Sequence, residues 1–262
     1  MNSIIALCQI TASTYSQDNL KKAEQYMEMA KKQGAHMIVF PEYFMTYYPS
    51  KDYVSSAQSL SGEFVTELRK DAEKYGLWVI AGCNEKSLGN KKQCYNTSVV
   101  ISETGELAGY YRKQHLFDAF SYKESEQTLK GNENFTPIKT PIGTVGLGIC
   151  YDLRFPEVAR YEALHGCDVM FYPSAWVKGE GKYEQWKVLL RARAIENGMY
   201  VIGCCHYDKE HYMGKSIVAD PMGNVIAAGG EREEIIFCEI NQEKSIDARK
   251  LIPNLCFYTN LC

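Results

Sequence analysis

One pattern recurs four times along this chain: an amphipathic helix, a glycine, then an apolar strand. It runs through NLKKAEQYMEMAKKQG-AHMIVFPEY (19–43), EFVTELRKDAEKYG-LWVIAGC (63–83), PEVARYEALHG-CDVMFYPSA (156–175) and YEQWKVLLRARAIENG-MYVIGCC (183–205). Gly34, Gly76, Gly166 and Gly198 stand where a helix C-terminus takes a left-handed residue. The strands that follow are nearly unbroken apolar runs, the pattern of strands covered on both faces. Each pair of phrases leads into a hairpin pattern, at 96–113 and at 214–230, with turns at Gly105 and Gly223. A duplicated unit of one helical layer and one sheet still has a second sheet face to bury. Stacking two such sheets back to back predicts an α/β fold: a four-layer αββα sandwich with an internal pseudo-twofold repeat. A doubly wound single sheet is the competitor, and the antiparallel hairpins favour the sandwich. No Pro/Ser/Gly-rich linker parts the halves, so residues 1–262 read as one domain.

Charge and composition narrow the class of function. Twenty-nine Lys and Arg stand against 32 Asp and Glu, for a net charge of −3, and no basic stripe is present. A nucleic-acid or anionic-membrane partner is therefore not expected. Apolar runs such as Val145 to Cys150 are too short to span a bilayer. The opening MNSIIALCQI lacks the charged region and cleavage site of a signal peptide, which predicts a cytoplasmic protein. The ten cysteines then read as reduced, buried thiols. Cys204, Cys205, His206 and His211 cluster in sequence but fit no zinc spacing, and no metal is expected.

Ligands of α/β sheets sit outside the carboxyl ends of strands. Three reactive side chains stand at such ends: Glu42 after HMIVFP, Lys113 after ELAGYYR and Cys150 after GTVGLGI. A carboxylate, an ammonium and a thiol make a workable amide hydrolase. Glu42 can take the thiol proton, and the charge of Lys113 is expected to favour the thiolate. A Cys150–His115 pair stays open, though nothing favours it. No GxSxG, HExxH, GxGxxG or P-loop pattern is present. The aperiodic stretch from His115 to Thr140 has the length of a functional loop.

FPEYF around Glu42, YRKQHLF around Lys113 and GICYDLRFPE around Cys150 resemble the three signature segments of the nitrilase superfamily, the carbon–nitrogen hydrolases. The resemblance covers about residues 4–252 and is closest to the branch of ω-amidases and deaminated-glutathione amidases. It implies the αββα fold in a homodimer or higher homo-oligomer, with no cofactor. It further implies Cys150 as nucleophile, Glu42 as general base and Lys113 as oxyanion stabiliser. The Tyr151 N–H would be a second oxyanion donor and Glu124 a second active-site glutamate. The expected partner is a small, carboxylated primary amide; a carbamoyl amine, deaminated glutathione or a catalytically idle binding role are the alternatives. Tyr48, Arg154 and Trp176 are substrate-binding candidates, with Arg154 equally able to pair with Asp152 or Glu157.

Overall fold

The computed structural model describes residues 2–47, 52–120 and 122–259. Two sheets stack face to face, and helices cover the outer face of each. The first sheet runs in the order Glu234–Ile240, Ser3–Gln9, Met37–Val39, Trp78–Lys86, Cys94–Ile101, Leu107–Arg112. The second runs Val225–Ala228, Ile217–Ala219, Tyr200–Cys205, Val169–Ser174, Gly143–Leu147, Ile138–Thr140. Helices α1 (Ser16–Lys32) and α2 (Glu63–Tyr75) cover the first sheet, while α3 (Pro156–Leu164) and α4 (Lys182–Asn197) cover the second.

The alternation of strand side chains sorts the core into three layers. Ile5, Leu7, Met37 and Val39 face Val145, Leu147, Val169 and Phe171 between the sheets. Their neighbours Ala6, Cys8 and Ile38 turn outward and meet Met27, Phe64 and Leu68 of the helices. On the far side Met170 and Val201 meet Ala159, Trp186 and Leu190. Both sheet faces are thus buried, which is why these strands are apolar throughout.

Within each half the chain order is the same: a strand, a helix, a parallel strand, a second helix, a third parallel strand, then a hairpin. The left-handed caps fall where expected, at Gly76 (φ 59°) and Gly198 (φ 57°). Each sheet also has an antiparallel edge strand beside its first parallel strand, Ile138–Thr140 beside Gly143–Leu147 in the second, but its place in the chain differs in the first. Glu234–Ile240 follows both halves and pairs antiparallel with Ser3–Gln9, so the first sheet borrows a strand from the last part of the chain. Among the described residues eight cysteines are free thiols as expected; Cys256 departs from that reading and is disulfide-bonded. Among the described residues, no helix is long and apolar enough to cross a membrane.

Candidate active site

Glu42, Lys113 and Cys150, 108 residues apart at the extremes of sequence, meet at the foot of one cavity of about 580 Å³. Each comes off a strand end by a local device. Glu42 lies in the turn after Met37–Val39, where Tyr43 takes a left-handed φ of 54°. That turn presses on the neighbouring strand at Gly82, where a Cβ would stand 2.5 Å from the Tyr43 nitrogen. Only glycine lets the two backbones approach so closely. Lys113 follows Leu107–Arg112 and is held by main chain on both sides: its N–H donates to Asn96 O (2.9 Å), and its carbonyl accepts from Gly131 N (2.8 Å). Cys150 opens a 3₁₀ turn, Cys150–Arg154, with a φ of 46°. A non-glycine residue in that region carries backbone strain, which persists where the surroundings over-determine it. Here Asp152 does so, accepting from Ile149 N (2.9 Å), Tyr111 Oη (3.0 Å) and His115 N (2.9 Å).

The polar network behind the thiol is buried and hydrogen-bonded, with Asn96 Oδ1 left without a partner. Glu42 Oε1 accepts from Lys113 Nζ (2.9 Å) and Asn96 Nδ2 (2.7 Å), while Oε2 accepts from Ala175 N (2.7 Å). Glu124 approaches the same ammonium at 2.8 and 3.1 Å and also accepts from Tyr43 Oη, Asn96 Nδ2 and Phe117 N. Burial alone would raise the Glu124 carboxyl, but the Lys113 charge and these donors hold it below the usual range. Burial would likewise lower Lys113; Glu124 and Glu42 together drive it well up. It is a permanent cation between two carboxylates. Its three donors already meet three carboxylate oxygens, Glu42 Oε1 and both oxygens of Glu124, so an incoming oxyanion has to share one of them.

Lys113 pulls the Cys150 thiol towards the thiolate, but against larger opposing effects. Burial and the Glu42 carboxylate push that thiol well above the ordinary range, and Lys113 only partly offsets them. The resting form is the neutral thiol, so Lys113 does not by itself generate the thiolate. The proton has to be removed during attack.

The other candidates divide. Glu124 is in the network, and Tyr151, Arg154 and Trp176 line the cavity. Tyr48 lies outside the described residues. Arg154 makes neither of the alternative ion pairs: Asp152 is occupied as above, and the guanidinium donates to Gln185 Oε1 (2.7 Å) while lying 4.9 Å from the Trp176 ring. His115 is committed to Asp152 (Nδ1 to Oδ1, 2.7 Å) and stacks on Phe155, which leaves no role as the base for Cys150. The Cys204–His211 stretch diverges: Cys204 faces Val39 O, Cys205 faces Trp176 O, His206 faces Glu42 O, and His211 is half-exposed beside Asp208. Among the described residues no cluster of ligands suits a metal. Sequence reasoning gave no role at the carboxylates to Asn96 and Tyr43, which donate to them, or to His206, which contacts the main-chain carbonyl of Glu42. Asn96 sits inside the strand Cys94–Ile101 and His206 just after Tyr200–Cys205 with no motif of their own, while Tyr43 is part of FPEYF but shows its role only through its hydroxyl contact with Glu124.

This is the architecture of an α/β hydrolytic enzyme with a thiol at a strand end, and comparison with known proteins fixes its family. The carbon-nitrogen hydrolase profile matches residues 4–250, and the chain belongs to that family. It is 33% identical over 264 residues to a deaminated glutathione amidase of Synechocystis, covering 96% of each chain. It is 34% identical to the human omega-amidase NIT2, covering 95% of this chain and 92% of that one. The crystal structure of Saccharomyces cerevisiae Nit3, a member of branch 10 of the nitrilase superfamily, superposes with a TM-score of 0.87 at 34% identity, covering 96% and 94%. The protein is a cysteine-dependent carbon–nitrogen hydrolase with amidase relatives.

Proposed function

We propose that the protein hydrolyses a short, carboxylated primary amide to an acid and ammonia through a thioester on Cys150. The observation that carries this reading is Glu42 Oε1 sharing Lys113 Nζ with Glu124 beside the strained Cys150 turn. Glu42 takes the thiol proton as sulfur attacks the carbonyl carbon. The oxyanion forms against Lys113 Nζ and the Tyr151 N–H, donors worth roughly 3–4 kcal/mol each in such sites. Glu42 passes its proton to the nitrogen, the C–N bond breaks and ammonia leaves. Water, deprotonated by the same Glu42, then attacks the thioester, and the released sulfur recovers a proton. Glu124 holds Lys113 in place without ever needing to move.

Arg154, with no carboxylate partner and its guanidinium carbon 4.9 Å from the Trp176 ring, is the group we assign to the far carboxylate of the substrate. The omega-amidase relatives support that class. The Synechocystis relative supports a second reading, deaminated glutathione, which the cavity volume can admit. Ammonia release measured across succinamate, ketoglutaramate, carbamoylputrescine and deaminated glutathione tests both; turnover of carbamoylputrescine alone would overturn the carboxylate assignment.

Residues 1–262 act in this reading as one domain and pair as a homodimer, for which Val188, Ile195 and Met222 offer an exposed apolar face around α4. Eight free thiols suit the reducing cytoplasm, with the Cys256 disulfide as the exception.

A further inference from the structure

The cavity holds another cation that the scheme above leaves idle. Lys182 is the first residue of α4, and only 8% of its surface is exposed. Its Nζ lies 3.9 Å from the centroid of Phe120 and 5.7 Å from that of Phe117, and both rings line the cavity along with Arg154. Among the described residues this ammonium meets those rings and no carboxylate.

The main chain of Lys182 serves the fold, its carbonyl accepting from Trp176 Nε1 (3.1 Å), but its ammonium makes no such contact. A cation in the first turn of a helix opposes the helix dipole. Burial, and after it the nearby Arg154 charge, pull Lys182 below the usual lysine range, so the two cations disfavour each other as they stand. The remaining lysines of the site are spoken for. Lys113 is enclosed by Glu42 and Glu124, and Lys178 donates to Lys209 O (2.9 Å). The carboxylates of the lining offer no relief: Glu42 and Glu124 are committed to Lys113, and Glu180 is exposed. Two neighbouring cations without a carboxylate partner, Lys182 buried and Arg154 half-buried, define a place for an anion.

We propose that Lys182 and Arg154 act as a pair that grips the substrate's carboxylate, with Lys182 selecting amides whose acyl chain ends in an acid. The inference rests on the carboxylated-amide reading and deepens it. Each cation lies against an aromatic ring of the cavity lining, Lys182 on Phe120 at 3.9 Å and Arg154 on Trp176 at 4.9 Å.

The test compares kcat/KM for succinamate with that for butanamide, which has the same length and no charge. Wild type should prefer succinamate. Lys182→Met, which keeps the apolar stem against Phe120, should cut that preference about ten- to hundredfold, carried by KM. Lys182→Arg should keep most of it. If Lys182→Met leaves the preference intact while Arg154→Gln lowers it, Arg154 reads the carboxylate alone and the pair is overturned. Equal losses on both amides would make Lys182 a packing residue and also overturn it. A wild type with no preference removes the carboxylate reading itself.

Discussion

The two halves of the sandwich have the same order of strands and helices, yet they place different residues at equivalent strand ends. After its middle strand the first half has Glu42; the second has Ala175, whose N–H merely supports Glu42. After its hairpin the first half has Lys113, and the second has Gly229 and Gly230. After its first strand the second half has Cys150, where the first has Thr11 and Ala12. A symmetric frame therefore supplies several candidate positions, and one copy of each reactive group is used. The halves also differ in how they bury a carboxylate. Glu124 is buried against Lys113 and stays ionised. Glu162, on α3, has no partner for Oε2, and burial alone raises its pKa to about 9. A buried charge persists only where its partner is built in.

The sharpest way to break the asymmetry is to remove its reactive groups. Cys150→Ala should lower turnover by about 10⁴-fold or more and leave the fold intact, as read by ammonia release and circular dichroism. Glu42→Gln and Lys113→Met should each cost about 10³-fold, since the thiol is neutral at rest and needs its base. Any of these variants retaining a tenth of wild-type activity would refute the one-copy account.

A smaller effect separates two glycines in matching strands. Gly82 faces the Glu42 turn, whereas a Cβ on Gly203 would stand 2.2 Å from Trp186 of α4. Gly82→Ala should displace Glu42 and lower kcat about ten- to hundredfold. Gly203→Ala should instead lower stability by about 1–3 kcal/mol in urea unfolding, through overpacking. Equal loss of kcat in both would mean that the glycine difference is unrelated to the site.

Glu162 should leave activity unchanged and shift stability alone. Its folded pKa of about 9 lies above its unfolded 4.5, so the folded state keeps a proton that the unfolded state loses between those values. Stability contributed by the neutral form is present below pH 4.5 and declines as pH rises through the window. Glu162→Gln should therefore gain stability over wild type at pH 8 compared with pH 5, by on the order of a few kcal/mol. A difference between variant and wild type that is the same at both pH values would refute an uncompensated Glu162.

Much of this was legible in the sequence because the frame is written in periodicity. Helix–glycine–strand phrases specify layers, and unbroken apolar strands specify burial on both faces. Glu42, Lys113 and Cys150 were legible because each is a reactive residue directly after such a strand. Asn96 and Ala175 were not, since an amide inside a strand and a backbone N–H carry no pattern of their own. The borrowed strand Glu234–Ile240 escaped for a similar reason: its residues read as a strand, but register and partner arise only in three dimensions. The thiol's protonation state depended on desolvation, which a one-dimensional neighbour list does not contain.

The central claim is that Cys150 alone among the thiols becomes acylated during turnover. Mixing the protein with succinamate, quenching in acid within the first turnovers and mapping peptides by mass spectrometry reads this directly. The account predicts an adduct equal to succinamate minus ammonia on the peptide that carries Cys150, absent in Glu42→Gln. An adduct on Cys204 or Cys205, or turnover of succinamate with every cysteine unmodified throughout, would contradict it.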